Sequence, residues 1–414
     1  VPNLDQCDTE DLIDRIRSLR AMGVGVFISC RPSNRQLIHG LGDSVKINAQ
    51  MLKVHAYEYS AWASAFSIST SLDFYQLTQG VPELVSALQT GLYGQGDVAG
   101  LLENEIVNVY GAALVDLASL DNNALFCVAC LMILMGEGNI AELEACGVRL
   151  SMIDQSYLVR DYPIFGLDPA DRSFTCLGAE DNGRLRLRKL VAEIRPELVP
   201  RAARILLKAG RCDAAMDLTD AFLDRSVVLE LAGQYGVDLA LTGHGADVCR
   251  AALGTTDADD PAPEPTAAKA LGVYLAAVSV SNTKLARCMA SLIEHAGDQA
   301  ACEIDPVSWK VAQALTAVCY GDNGLGLPLN LNVPEIETEH SALDMLFAHI
   351  GVKHWLAERG DDGGALQQLK TRKAYDCELD IAGTFIRADS MLVELFDGSF
   401  AGIDERDDEM ALVR

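Results

Sequence analysis

The chain has 414 residues, half of them apolar, and a net charge of −26. That length allows two or three domains with a core that needs neither disulfides nor metals. The acidity excludes this segment as a holder of nucleic acid, because duplex binding rests on Lys and Arg neutralising phosphates. Twelve cysteines are scattered without a regular spacing, many inside apolar helical stretches, as in reduced intracellular proteins. No signal peptide is evident, and the most apolar stretch, 124–135, is too short to cross a bilayer, so a cytoplasmic location is expected.

In chain order, Asp8 reads as an N-cap, with Glu10 and Asp11 in the first turn of a helix, Arg17 and Arg20 in its last, and Gly23 as its stop. Leu12, Ile13, Ile16 and Leu19 form its apolar stripe. The next run, Val24-Gly25-Val26-Phe27-Ile28-Ser29-Cys30-Arg31-Pro32, predicts a buried β-strand that delivers Arg31 to its carboxyl end, the edge where open α/β sheets bind ligands. Val45 to Ile47 predicts one more short strand. From Tyr57 to Leu92 the pattern is helical, with Trp62, Phe66, Phe74 and Leu77 as core. Within it, Gly80 ends one helix and Pro82 opens the next at its first turn.

Residues 103–177 predict three helices and a hairpin, whose arms, 157–165 and 172–176, flank a turn at Asp168-Pro169-Ala170-Asp171. That is the plan of a winged helix. Its would-be recognition helix, 139–145, carries Glu142 and Glu144 and no cation, the wrong charge for a phosphate backbone. Beyond Gly183 the chain reads as paired amphipathic helices. Arg204 to Ala215 has the helix, glycine turn and small-residue helix grammar of tetratricopeptide-like repeats, without a strict period. The acidic, proline-bearing stretch 255–266 predicts a solvated loop between two helical blocks, and 321–334 separates a further pair.

Arg31 after its strand, followed by Gly80-Val81-Pro82 and a winged-helix pattern, resembles the signal-transduction ATPases with numerous domains, the group of the maltose-regulon activator and LuxR-type bacterial transcription regulators. The resemblance implies that Arg31 senses the terminal phosphate of ATP and that Gly80 and Pro82 pack on the adenine. It implies ATP or ADP, with Mg, as ligands of the full-length protein. The family's phosphate-binding loop, Gly-x-x-x-x-Gly-Lys-Ser/Thr, is missing, since the chain contains no Gly-Lys dipeptide. The expectation is a chain that begins just after the second catalytic motif and has no ATPase activity by itself.

The expected fold is mainly α. Residues 1–50 are a small α/β remnant of a P-loop ATPase domain, 51–100 a helical lid, 101–180 a winged-helix domain, and 181–254 and 267–414 two blocks of helical repeats. The expected function is part of an ATP-switched regulator of transcription, its array sensing a small-molecule inducer or protein partner. ATP-dependent self-association is expected, without direct DNA contact from this chain and without a membrane. The alternative is a non-enzymatic helical-repeat scaffold binding a protein.

Other groups have plainer readings. Cys127 and Cys130 have zinc or redox spacing but no second ligand pair, so packing explains them. His349 and His354 fall on different helix faces. Gly243-His244-Gly245 reads as a ligand loop or as a helix terminator. Asp257, Asp259 and Asp260 lack the spacing of a calcium loop. Arg31 has its own plain reading, an ion pair at a sheet edge.

Overall fold

The computed structural model describes residues 9–320 apart from 43, 66–71, 95–97, 121, 169, 178–180, 223–224 and 254–265, together with 325–328, 331 and 333. The described residues are mainly helical, with one small sheet. Two compact units divide the chain, Val1–Ile205 and Leu206–Arg414.

In the first unit, α1 (Thr9–Ala21) buries Ile13 and Ile16, with acids in its first turn and Arg20 in its last, as its sequence predicts. The expected N-cap, Asp8, lies outside the described residues. Segment 24–30 has no regular secondary structure, and its Val26, Ile28 and Cys30 pack onto Ile13 and Ile16 of α1 and Leu37 of α2 (Arg35–Gly40). Among the described residues it joins no sheet, so the strand expected here is not formed. Alternate residues turn inward, but among the described residues no strand pairs with this segment, and Phe27 on the opposite face is 100% exposed. The second expected strand fails in the same way, with Val45 and Ile47 exposed and unpaired.

A 3-10 turn at Ala49–Leu52 leads into α3 (Ala56–Ala65), α4 (Leu72–Thr78) and α5 (Pro82–Gly94). Tyr59, Val85 and Leu88 make their small core, joined by Val54, Tyr75 and Val98. Of the expected core residues, Leu77 is half-buried, and the side chains of Trp62, Phe66 and Phe74 lie outside the described ones. Helix α6 (Val98–Ala118) follows, long and apolar enough by length and composition to cross a membrane. The sequence expectation had named no such stretch. Yet Leu102, Ile106, Tyr110, Leu114 and Leu117 of α6 are buried, and the helix packs against α5, α7 and α10.

Helix α7 (Asn123–Met135) is capped by the Asn122 side chain and buries every residue from Val128 to Met135. After it come β1 (Glu137–Asn139), α8 (Ile140–Ala145), α9 (Met152–Asp161), β2 (Phe165–Leu167) and β3 (Ser173–Cys176). The three strands pair antiparallel in the order β1-β3-β2, with Gly138 opposite Phe174 and Gly166 opposite Thr175. The hairpin and its turn fall where the sequence put them, but its first arm is shorter. Residues 157–161 end α9, because the Ser151 hydroxyl accepts from the Asp154 amide and starts a helix that buries Tyr157 and Leu158. The helix leading into the hairpin is therefore α9 and not 139–145.

The Tyr110 hydroxyl binds this module to α6, lying 3.1 Å from the Ile164 carbonyl and 2.9 Å from the Leu177 carbonyl, which share its proton. Helix α10 (Asp181–Ile194) packs on α6 and α7. From it the Arg184 and Arg188 guanidinium groups donate to the carbonyls of Met135 and Leu134 at the carboxyl end of α7, where the helix dipole favours a cation. The point of division falls within α11 (Leu198–Lys208).

The second unit contains α12 (Cys212–Phe222), α13 (Arg225–Leu241), α14 (Gly245–Leu253), α15 (Ala267–Ser279), α16 (Thr283–Glu303) and α17 (Pro306–Tyr320). Successive helices pair, α13 with α14 and α15 with α16, and the first helices of the pairs lie beside one another, α13 by α15 and α15 by α17. Helix α15 is buried from Ala270 to Val278 because neighbours cover it on all sides. It crosses α13 so closely that a Cβ on Gly272 would lie 2.0 Å from the Ala232 carbonyl oxygen. The Tyr274 and Thr316 hydroxyls, 2.8 Å apart, join α15 to α17.

Candidate functional site

Arg31 is exposed, in the turn between segment 24–30 and α2. Its backbone carbonyl accepts from the Asn34 amide at 3.0 Å, and the Asn34 side chain in turn accepts from the Leu37 amide to start α2. The turn is thus fixed locally by its own backbone and by a capping asparagine.

Between these residues, Ser33 reaches a buried carboxylate. The Ser33 amide donates to Asp116 Oδ2 at 3.1 Å, and its hydroxyl donates to Asp116 Oδ1. Asp116, near the end of α6, is only 3% exposed. A third donor is the Tyr162 hydroxyl, 2.5 Å from Asp116 Oδ2, at the end of α9. The Tyr157 hydroxyl stands 3.4 Å from that of Tyr162, and the two rings meet edge to face. Burial above all, then the bond to Asp116, pushes the Tyr162 phenol far above its ordinary range, so it stays a donor. One carboxylate therefore gathers donors from the arginine turn and from the hairpin module.

Gly80 and Pro82 lie in the break between α4 and α5. Gly80 has φ +73, and a Cβ there would sit 2.0 Å from the Val54 carbonyl oxygen, while the Val54 amide donates to the Gly80 carbonyl at 2.8 Å. Both the left-handed backbone and the close approach require glycine. Pro82 is the first residue of α5, where no amide is needed, and is half-buried.

The other groups have structural roles or lie out of view. Burial pushes the Cys130 thiol up to about 12, and among the described residues no three His, Cys, Asp or Glu side chains could hold a metal ion. His244 bridges two acids, with Nε2 2.8 Å from Asp213 and Nδ1 3.3 Å from Asp247, and so ties the start of α12 to the start of α14. His349, His354, Asp257, Asp259 and Asp260 lie outside the described residues.

The sequence had singled out Arg31, Gly80 and Pro82 and had missed Ser33, Asp116 and Tyr162. The signal for Asp116 is a lone acid in the apolar run Ala112-Ala113-Leu114-Val115-Asp116-Leu117. An acid on the buried side of a helix needs partners. No family model matches this chain, nor does any curated protein or solved structure match it significantly.

Proposed function

We propose that this chain is part of an ATP-switched signal-transduction regulator with transcriptional output, its helical array sensing an inducer or a protein partner. The observation that carries the reading is segment 24–30. It is a largely apolar run whose Val26, Ile28 and Cys30 pack on Ile13, Ile16 and Leu37, and it ends in Arg31. Apolar runs of this length suit a strand inside a parallel sheet covered by helices. An arginine at the carboxyl end of such a strand suits a terminal phosphate, since its planar fork matches phosphate oxygens.

The order of the later elements supports the same reading. The path α7-β1-α8-α9-β2-β3, with the sheet order β1-β3-β2, supports reading this part as a winged helix. Its third helix, α9, offers Arg160 among Asp154 and Asp161, and Arg160 is bonded to Asp161. Such a face suits an internal clamp better than a DNA groove. The paired helices α13 to α17, whose first helices lie side by side, support the reading of a tetratricopeptide-like array. The described cysteines are all free, in keeping with a cytoplasmic location.

The reading gives Arg31 the phosphate and Pro82 the base, whereas Gly80 is accounted for by its packing on Val54. No phosphate-cradling loop is in the sequence, so no hydrolytic step is assigned to these residues.

The test is nucleotide-dependent assembly. Light scattering and limited proteolysis of the full-length protein with Mg and either ATP or ADP are expected to differ, and Arg31→Ala is expected to abolish the difference. Equal mass and equal digestion in both nucleotides overturn the switch. The second reading, a helical-repeat scaffold for a protein partner, would then remain, favoured by the stacked pairs of the second unit.

A further inference from the structure

We infer that the corner Gly243-His244-Gly245 is a proton-dependent clasp, in which a doubly protonated His244 ring holds the start of α12 to the start of α14. The corner fixes where the ring stands. Gly243, at φ +96, turns the chain at the end of α13, and the His244 amide closes that turn on the Leu239 carbonyl at 2.9 Å. The His244 carbonyl then accepts from the Asp247 and Val248 amides, at 3.1 and 3.2 Å, and so opens α14. A Cβ on Gly245 would lie 2.7 Å from the Ala276 carbonyl oxygen, so α15 packs directly on the corner.

The ring is 15% exposed, and each of its nitrogens faces an acid, Nε2 at 2.8 Å from Asp213 and Nδ1 at 3.3 Å from Asp247. A carboxylate only accepts. A neutral imidazole has one N–H, so it serves one of the two acids and turns a lone pair on the other, whereas the imidazolium donates to both. Nearby cations do not take its place. Arg250 is 3.0 Å from Asp247 and shares that acid, while among the described residues the one ion pair of Asp213 is with His244. The same helices bring Asp217 and Asp238, with Arg211 just before α12, and the thiols of Cys212 and Cys249, which burial pushes up and keeps neutral. Helix α15 holds Lys269 against Gly233 and Tyr274 on Thr316, away from the corner. In either state α12 stays packed, since Cys212, Ala215 and Leu218 are buried. What the proton changes is how firmly its first turns are held.

Hydrogen exchange of the full chain at pH 5.5 and pH 8.5, on either side of the ordinary range of histidine, tests it. The tie is complete where the ring holds both protons and weakens as the pH rises. After correction for the intrinsic pH dependence of exchange, protection of the amides in 215–219 is expected to fall about two- to fivefold at the higher pH, the size that an exposed ion pair carries. Asp213→Asn should abolish the fall, because an amide can pair with either form of the ring, and at a side chain 96% exposed it leaves the core alone. His244→Gln should abolish it too. Helix α7, which has no histidine, should keep its protection at both pH values. Equal falls in the wild type and in Asp213→Asn overturn the inference, and so does a wild type without any fall. Since no nucleotide enters the experiment, its outcome is separate from that of the assembly test.

Discussion

Gly80 illustrates how a residue chosen for one role can be demanded by another. The resemblance gives it to an adenine, while the structure gives it to the Val54 backbone, through a positive φ and a carbonyl that fills the space of a Cβ. Gly80→Ala is expected to cost about 1–3 kcal/mol by denaturant unfolding, whether or not nucleotide is added. The position of the turn was legible, because glycine and proline punctuate a helical pattern by backbone chemistry alone. Asp116 was not legible as a partner of Ser33, since the sequence alone does not say which turn its carboxylate meets.

The cysteines make a second test at this scale. Burial pushes the thiols of Cys130 and Cys176 up to about 12 and that of Cys249 to about 11, while Cys288 and Cys302 are exposed. Iodoacetamide at pH 8 is expected to modify Cys288 and Cys302 and to spare Cys130 and Cys176, read by peptide mass spectrometry. The raised values also fix a direction of pH dependence. The unfolded chain releases these protons near pH 9 and the folded one holds them to about 12, so in that window the folded state binds more protons. Stability contributed by the neutral thiols is complete below pH 9 and falls as the pH rises toward 12. Urea midpoints at pH 8 and 10 should show that fall, and equal midpoints would refute it.

At the scale of elements, periodicity was a good guide to shape and a poor one to partners. The apolar run 24–30 led to a buried strand, yet only Val26, Ile28 and Cys30 turn inward, and a strand exists only through its neighbours, which are a property of the fold. The shift from 139–145 to α9 has a related cause. Tyr157 and Val159 have strand propensity, which the Ser151 cap and the burial of Tyr157 and Leu158 override. The crossing of α13 and α15 makes as close a demand on a helix pair. Gly272→Ala would force the Ala232 carbonyl away and is expected to destabilise the second unit by about 1–3 kcal/mol, with unfolding followed by circular dichroism. A cost near zero would mean that the two helices are not so closely packed.

For the whole molecule, the sequence conveyed a mainly helical chain with an apolar core, and the described residues agree with that. It could not convey that α6, the one described helix with the length and composition of a membrane span, lays one face against α5, α7 and α10, with 28% of its most apolar stretch buried. The charge of −26 acts at this scale too, by mutual repulsion that holds separate molecules apart.

That repulsion has a weak point at segment 24–30. A segment that joins no strand among the described residues and holds a fully exposed phenylalanine between inward-turned neighbours offers an apolar side chain to a second chain. High salt, which screens the acidic surface over distances beyond a few ångströms, removes the main obstacle to that contact. Self-association of this chain is therefore expected to rise with salt and to begin at Phe27. Phe27→Lys, which leaves the inward face of Val26, Ile28 and Cys30 untouched, should suppress it in turbidity measurements without shifting the unfolding midpoint.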